Sequence, residues 1–552
     1  MSLHPEPWGP VPEETARVAR AAFPKGTLYL HLRDELGPLY NDALFTDLFP
    51  SRGQPAEAPW RLALVTILQF AEDLPDRQAA EAVRSRIDGK YLLGLELTDS
   101  GFDASVLCEF RARLVAGAAE QRLLDYLLTL ARERGLLKPR GRQRTDSTHV
   151  LAAIHVLNRL ECVGETLRHA LNSLAVVAPE WLREQVPADW YERYGSRVDN
   201  YRLPKADAER EAWAEVIGAD GRRLLQGVWA PTAPSWLRHV PAVEILRRVW
   251  VQQYHAPDET GRVRWRAAGD LPPGALLIVS PYDPEARCGG KRDLAWIGYK
   301  THLTETCDDD GPHLLTHVES TPGATTDVEV TAAIHAALAR KDLLPSEHLV
   351  DTGYLAGKLL VSSQGEYGVD LVGPVPGDSS WQALANQGFA FADFAIDWAA
   401  QQVTCPHGQT SYIWTPARDR HGNDVIHVAF RRTDCAACPA RPNCTRATTS
   451  GRELTLRPHS EHQAVQNARD RQTTAAFKEE YARRAGVEGT ISQGVHRAGL
   501  RRARYLGIAK AHIQHLATAA ALNVIRLGAW FAGTPLVTTR QAAFAALAPG
   551  FP

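Results

Sequence analysis

At 552 residues the chain is too long for one hydrophobic core, and roughly two to four domains are expected. With 44% hydrophobic and 23% charged residues it reads as globular, and no stretch reaches the roughly 18 uninterrupted apolar residues of a membrane helix. A formal charge of −2 excludes a uniformly basic surface, so any DNA-binding face has to be local.

The opening segment MSLHPEPWGPVPEE lacks the basic and apolar regions of a signal peptide, which makes a cytoplasmic, bacterial-type location the expectation. Residues 1–135 then read as a helical domain. PWRLALVTILQFAE, from Pro59 to Glu72, carries apolar residues on a broad helical face, and a further helix is predicted from Asp76 to Ile87. In SVLCEFRARL, Leu107, Phe110 and Leu114 recur at helical spacing. Arg77, Arg84, Arg86, Arg111 and Arg113 accompany these helices, which fits a DNA-binding head or, equally simply, a solvated helix face.

The basic connector LLKPRGRQR leads into RQRTDSTHV, where Asp146 lies on the first strand of a core spanning 136–152. Residues 153–285 pattern as a mostly helical insertion rich in tryptophan: Trp181, Trp190, Trp213, Trp229, Trp236, Trp250 and Trp265. Most of these are expected in a buried core. From Leu276 the pattern turns to short strands, ALLIVS, WIGYKTHLTET and HLLTHVES, with CDDDG as the hairpin loop between the last two. A helix over TDVEVTAAIHAALARKDLL, the strand EHLVD ending at Asp351, a further helix and the strand DLVGPV continue the core through 286–384. Residues 385–460 form a cysteine-rich β insertion, 461–535 the C-terminal helices of the core, and 536–552 a tail in which disorder is expected.

Near the end of the chain, Tyr481, Arg484 and Glu488 spell Y-x2-R-x3-E on a helix-compatible segment. Residues three to four apart share a helix face, so a phenol, a guanidinium and a carboxylate are aimed at one point. Hard cations such as Mg²⁺ take oxygen ligands, and two ions about 3.5–4 Å apart activate a nucleophile and stabilise a leaving oxygen. Asp146 and Asp351 from strands and Glu488 from a packed helix supply that ligand set. The intervals between them exceed what a five-stranded sheet needs, which places one insertion in each.

Two further groups of residues carry chemistry. His496, Arg497, Arg501, Arg502 and Arg504, with Arg483 and Arg484, make the densest basic stretch, suited to phosphate contacts beside Tyr481. The alternative is an arginine-rich solvated helix. Of eight cysteines, Cys405, Cys435, Cys438 and Cys444 crowd together, with C-x2-C spacing in the middle pair. In a reducing compartment this favours a structural Zn²⁺ site, with His407 or His427 as substitute ligands, over a disulfide framework or a set of buried thiols.

The stretches DRQAAEAVRSRIDGKYLLGLEL, FDASVLCEFRARL, RTDSTHV, SPYDPEARCGGK with WIGYKTHL, LVDTGYLAG, CPHG with CAACPARPNC, and YARRAGVEGTISQGVHRAGLRRARYLG together resemble a DDE transposase of a bacterial insertion sequence. The branch it is similar to has a helical N-terminal domain, the Y-x2-R-x3-E signature and a cysteine-bearing C-terminal region. The resemblance implies an α/β fold: a ribonuclease-H-like mixed sheet flanked by helices, with an all-α N-terminal domain and two insertions. It also implies cleavage at element ends and joining to target DNA, with Asp146, Asp351 and Glu488 holding two Mg²⁺ (or Mn²⁺) ions. Partners would be double-stranded DNA, as terminal inverted repeats and target, and a second copy of the chain in a homodimer. Where relatives often carry a lysine after the glutamate, this chain has Val495, so His496 or Arg497 is expected to take over that phosphate contact. Two other functions share these residues: a metal-dependent nuclease of the same fold, and a non-catalytic DNA-binding protein derived from a transposase. Intact Asp146, Asp351 and Glu488 weigh against the latter.

Overall fold

The computed structural model describes residues 2–5 and 8–534, so the tail expected at 536–552 lies outside the described residues. Six strands build the central sheet: β1 (Gln143–Leu151), β2 (Arg287–Lys291), β3 (Leu294–Thr306), β4 (Leu315–Pro322), β5 (Glu347–Leu349) and β6 (Asp370–Val372). β3 is the organising strand. One edge takes β1 antiparallel, from Gln143 opposite Thr306 to Leu151 opposite Gly298. The other edge takes β2 along its first residues and β4 along the remainder. β5 and β6 then add in parallel beyond β1, giving a mixed, ribonuclease-H-like sheet.

Two runs of helix cover this sheet. The Asp327–Arg340 helix, opened by a Thr326–Glu329 capping box, packs on one face with the Gly357–Tyr367 and His459–Gln472 helices. On the other face lie Gly486–Ala498 and Ile508–Phe531. Ile508–Phe531 is apolar nearly all round, and most of its residues are buried, as expected of a helix enclosed by protein. Its neighbours include the Pro59–Ala71 and Arg122–Glu133 helices of the N-terminal region, whose leucines join Leu303, Leu315 and Val318 in one continuous core. The N-terminal helices are thus welded to the central sheet rather than hung from it. Among the described residues no helix is long and apolar enough to cross a membrane.

The segment between β1 and β2 folds mainly as three long helices, Arg159–Val177, Asp207–Trp229 and Pro241–Gln253, around a core of their own. Trp190 and Trp250 are buried there, whereas Trp229 and Trp236 are exposed. One sequence expectation fails in this region. ALLIVS forms no strand; its backbone is recruited by Gln252, whose side chain bonds Leu276 O and Ile278 N at 2.9 and 3.0 Å. Ile278 closes the helical core instead. The cysteine-rich segment holds two small antiparallel sheets: β7 (Ala395–Asp397) with β8 (Gln402–Thr404), and β9 (Ile413–Arg418), β10 (Asp424–Ala429) and β11 (Glu453–Leu456).

Candidate active site

Asp146 sits in the middle of β1, on the sheet face that meets the Gly486–Ala498 helix. Its Oδ1 accepts the backbone N–H of Ser147 at 2.8 Å. Asp351 follows β5 and caps a short 3₁₀ turn by accepting Gly353 N–H at 2.9 Å. Glu488 lies in the first turn of Gly486–Ala498. All three carboxylates face one guanidinium: Arg484 Nη2 is 2.6 Å from Asp146 Oδ2 and 3.9 Å from Asp351 Oδ2, and Nη1 is 3.0 Å from Glu488 Oε1. Arg484 is only 13% exposed, while Glu488 opens to solvent at 64%. Burial pushes the Asp146 carboxyl up, opposed by Arg484 and Lys291 and reinforced by Asp351. Tyr481 stands at the same centre, stacked on Phe477 at 5.4 Å, with burial driving its phenol upward.

The Y-x2-R-x3-E residues meet, but not on one continuous helix. Tyr481 belongs to Ala475–Ala482, Arg484 to a 3₁₀ turn at Arg483–Ala485, and Glu488 to the helix after it. The break has a cause in β1. The Arg144 guanidinium donates to Arg483 O and fills the space where a side chain at Gly486 would begin, so the backbone passes only because residue 486 is glycine. Arg144 also pairs with Glu305 Oε1 at 2.7 Å, and Glu305 Oε2 takes Arg526 at 2.7 Å and the Thr490 hydroxyl at 2.6 Å. This buried network ties the glutamate-bearing helix to β3. Burial alone would raise the Glu305 carboxyl, but Arg526 and Arg144 outweigh it and hold it below its usual value.

Of the basic residues singled out in the sequence, His496 and Arg497 are exposed on the last turn of the Glu488 helix. Val495 is turned inward against the main core, which explains why no cation stands there. Arg501 and Arg502 are exposed on a segment stitched to the end of β1 through Leu151, and Arg501 Nε bonds Thr148 at 2.9 Å. Arg504 is not brought to this surface: its guanidinium pairs with Asp73, bonds Leu74 O at 2.7 Å and lies over Phe70, holding the N-terminal helices. Arg483 is likewise engaged, 3.1 Å from Asp309 of the acidic hairpin loop. The N-terminal arginines are largely structural too. Arg111 pairs with Asp76, Arg86 with Glu72 and Asp88, Arg84 with Glu81, and Arg113 lies over Phe49.

The sequence reading missed three cations and carboxylates beside the site. Lys291, at the end of β2, acts on both Asp146 and His149, and His149 packs against Trp296 at 5.5 Å. Lys300 and Asp327 form a 3.1 Å ion pair beside the Asp146 strand. Lys291 and Lys300 lie in GGK and WIGYKTHL, two of the stretches that carry the resemblance, whereas Asp327 lies in neither.

Cys405, Cys435, Cys438 and Cys444 line one small apolar pocket with Phe389, His407 and Phe430, and all four are free thiols. Burial raises the Cys444 thiol. His427 instead faces Glu453 at 3.8 Å. Among the described residues, no three His, Cys, Asp or Glu side chains stand ready-made as a metal cage. The thiols share a pocket without metal-ligand spacing, and the three carboxylates are ranged around a guanidinium. Their donor chemistry nonetheless fits: oxygens alone, gathered so closely that the fold itself supplies a cation between them.

Residues 404–528 match the model of a transposase DDE domain, and residues 18–113 match a transposase domain, DUF772. Both matches support a DDE transposase of the insertion-sequence type. No curated relative matches it. DDE transposases act on DNA and use divalent metal ions. The DDE-domain match begins one residue before the first cysteine of the cluster and takes in both Arg484 and Glu488.

Proposed function

We propose that this transposase cleaves DNA at the ends of its insertion sequence and joins them to target DNA, with Asp146, Asp351 and Glu488 as the ligands of two Mg²⁺ or Mn²⁺ ions. The observation that supports this most is the convergence of three carboxylates, distant in sequence, on the single Arg484 guanidinium. When bound, divalent cations would supply charge stabilisation at the phosphodiester under attack. The chain's own groups do the positioning. Burial of Asp146 and its bond from Ser147 N–H fix one ligand, and the Gly353 turn fixes the second. The exposed Glu488 leaves the site open on the side where a duplex would approach.

Tyr481 and Arg484 orient the phosphates nearest the reacting bond, and Lys291, His496, Arg497, Arg501 and Arg502 track the backbone on either side. Arg504 is omitted because it is committed to Asp73. The cysteine pocket is read as a structural Zn²⁺ site, with Cys405, Cys435, Cys438 and Cys444 drawing together around the ion. Two element ends call for two copies of the chain, so a homodimer is the working assembly, acting in the bacterial cytoplasm. The test is incubation with DNA carrying the element's inverted repeats, a target plasmid and Mg²⁺. Joined products support the reading, while nicks without joining would make the protein a nuclease of the same fold.

A further inference from the structure

Beneath Asp146, on the opposite face of β1, lies a polar layer for which the reaction above has no use. Lys300 on β3 donates to Thr325 O at 2.8 Å and to Asp327 Oδ1 at 3.1 Å, and the two side chains are 15% and 16% exposed. Asp327 Oδ1 also accepts the Ser147 hydroxyl at 3.3 Å. Ser147 is the residue whose N–H holds Asp146. The other oxygen, Asp327 Oδ2, lies 3.1 Å from the point where a Gly353 side chain would begin, and Asp351 Oδ1 lies 3.0 Å from the same point. Gly353 N–H holds Asp351 in turn. Asp327 therefore bonds the segment that presents Asp146 and lies beside the turn that presents Asp351. Its far side is closed by His302, whose Nδ1 meets Tyr354 OH at 2.7 Å, while Thr331 donates to Tyr354 O at 2.9 Å.

We propose that Lys300 and Asp327 form a positioning pair that fixes the separation between Asp146 and Asp351. Ser147 and the Gly353 turn are the two ends of the brace. This rests on the reading of those aspartates as cation ligands. Groups that hold ligands in place commonly change metal affinity by about 10–100-fold when removed. Lys300 also offsets the added negative charge, so the brace does not simply become one more carboxylate at the site.

The test is Mn²⁺ binding to the full chain followed by electron paramagnetic resonance, on Asp327→Asn, Lys300→Gln, Lys300→Arg and the double variant Lys300→Gln/Asp327→Asn. Both single neutralisations are expected to weaken Mn²⁺ binding about tenfold. The double variant should be no weaker than the worse single, and Lys300→Arg should restore most of the affinity. Tighter binding by Lys300→Gln would overturn the proposal, because a pair acting through charge alone must shift the two single variants in opposite directions. Unchanged affinity in both would overturn it equally. Should the ion-pair variants not fold, Ser147→Ala cuts the brace while leaving the pair intact, and an affinity equal to the wild type refutes it. Asp146→Asn is the control: if that variant binds Mn²⁺ as the wild type does, the metal reading falls, and the brace with it.

Discussion

Glu305→Gln is the most revealing single substitution for the architecture of the site. The Glu305 side chain is fully buried between Arg144, 7% exposed, and Arg526, 14% exposed, and it accepts the hydroxyl of Thr490 from the helix that carries Glu488. Glutamine keeps the shape but leaves two buried guanidinium groups without a counter-charge and turns an amide N–H₂ toward one of them. Breaking a buried pair by removing one partner costs about 3–5 kcal/mol. The loss falls on the Glu488 helix, because Thr490 bonds that helix to Glu305 and Arg144 holds the Arg483 carbonyl just before it. Amide hydrogen exchange reads it directly: at 3 kcal/mol or more, opening of residues 486–498 should become roughly a hundredfold more frequent. The Pro241–Gln253 helix of the inserted module, which has a separate core, should be unaffected. Exchange across 486–498 within about threefold of wild type would refute the reasoning.

Three further outcomes are expected. Arg484→Gln should bind Mn²⁺ at least about fivefold more tightly, because no internal cation competes for the carboxylates, yet cleave DNA more slowly; weaker Mn²⁺ binding would contradict the geometry. Stability should fall on acidification, measured as the urea midpoint against pH. Burial lowers His302, His335 and His512 to about 4 and His515 to about 3, from an ordinary 6.5. Below pH 6.5 the unfolded chain takes up protons these folded histidines refuse, so stability drops from there down to about pH 4, and a flat midpoint over that window would be contrary. Arg501→Ala with Arg502→Ala should flatten the salt dependence of DNA binding by nearly two phosphate contacts, whereas Arg504→Ala should instead loosen the N-terminal helices and leave the slope alone.

How far the sequence carried this account depended on whether a residue's surroundings were local. β3, β4 and the helix after them were legible because their apolar periods are regular and their turns are marked by CDDDG and the Thr326–Glu329 box. ALLIVS has equal strand propensity, and its fate was set by Gln252 on a distant helix. Tyr481, Arg484 and Glu488 are joined through a 3₁₀ turn that their spacing does not announce, because Arg144 holds that turn from another element. Arg504 and Arg501 look alike in RRARYLG; only the fold puts Asp73 beside one and open surface beside the other. Lys300 and Asp327 were invisible as a pair for the same reason: the hairpin that joins them is long-range in its consequences and unremarkable in its letters.

The most direct test of the central claim replaces Mg²⁺ with Fe²⁺ and generates hydroxyl radicals at the bound ion, which cut the polypeptide within a few ångströms. Three sets of cuts are expected in the same molecule, around Asp146, Asp351 and Glu488, all suppressed by excess Mg²⁺ and by Asp146→Asn. Cuts confined to one of those segments, or insensitive to Asp146→Asn, would contradict a shared metal site.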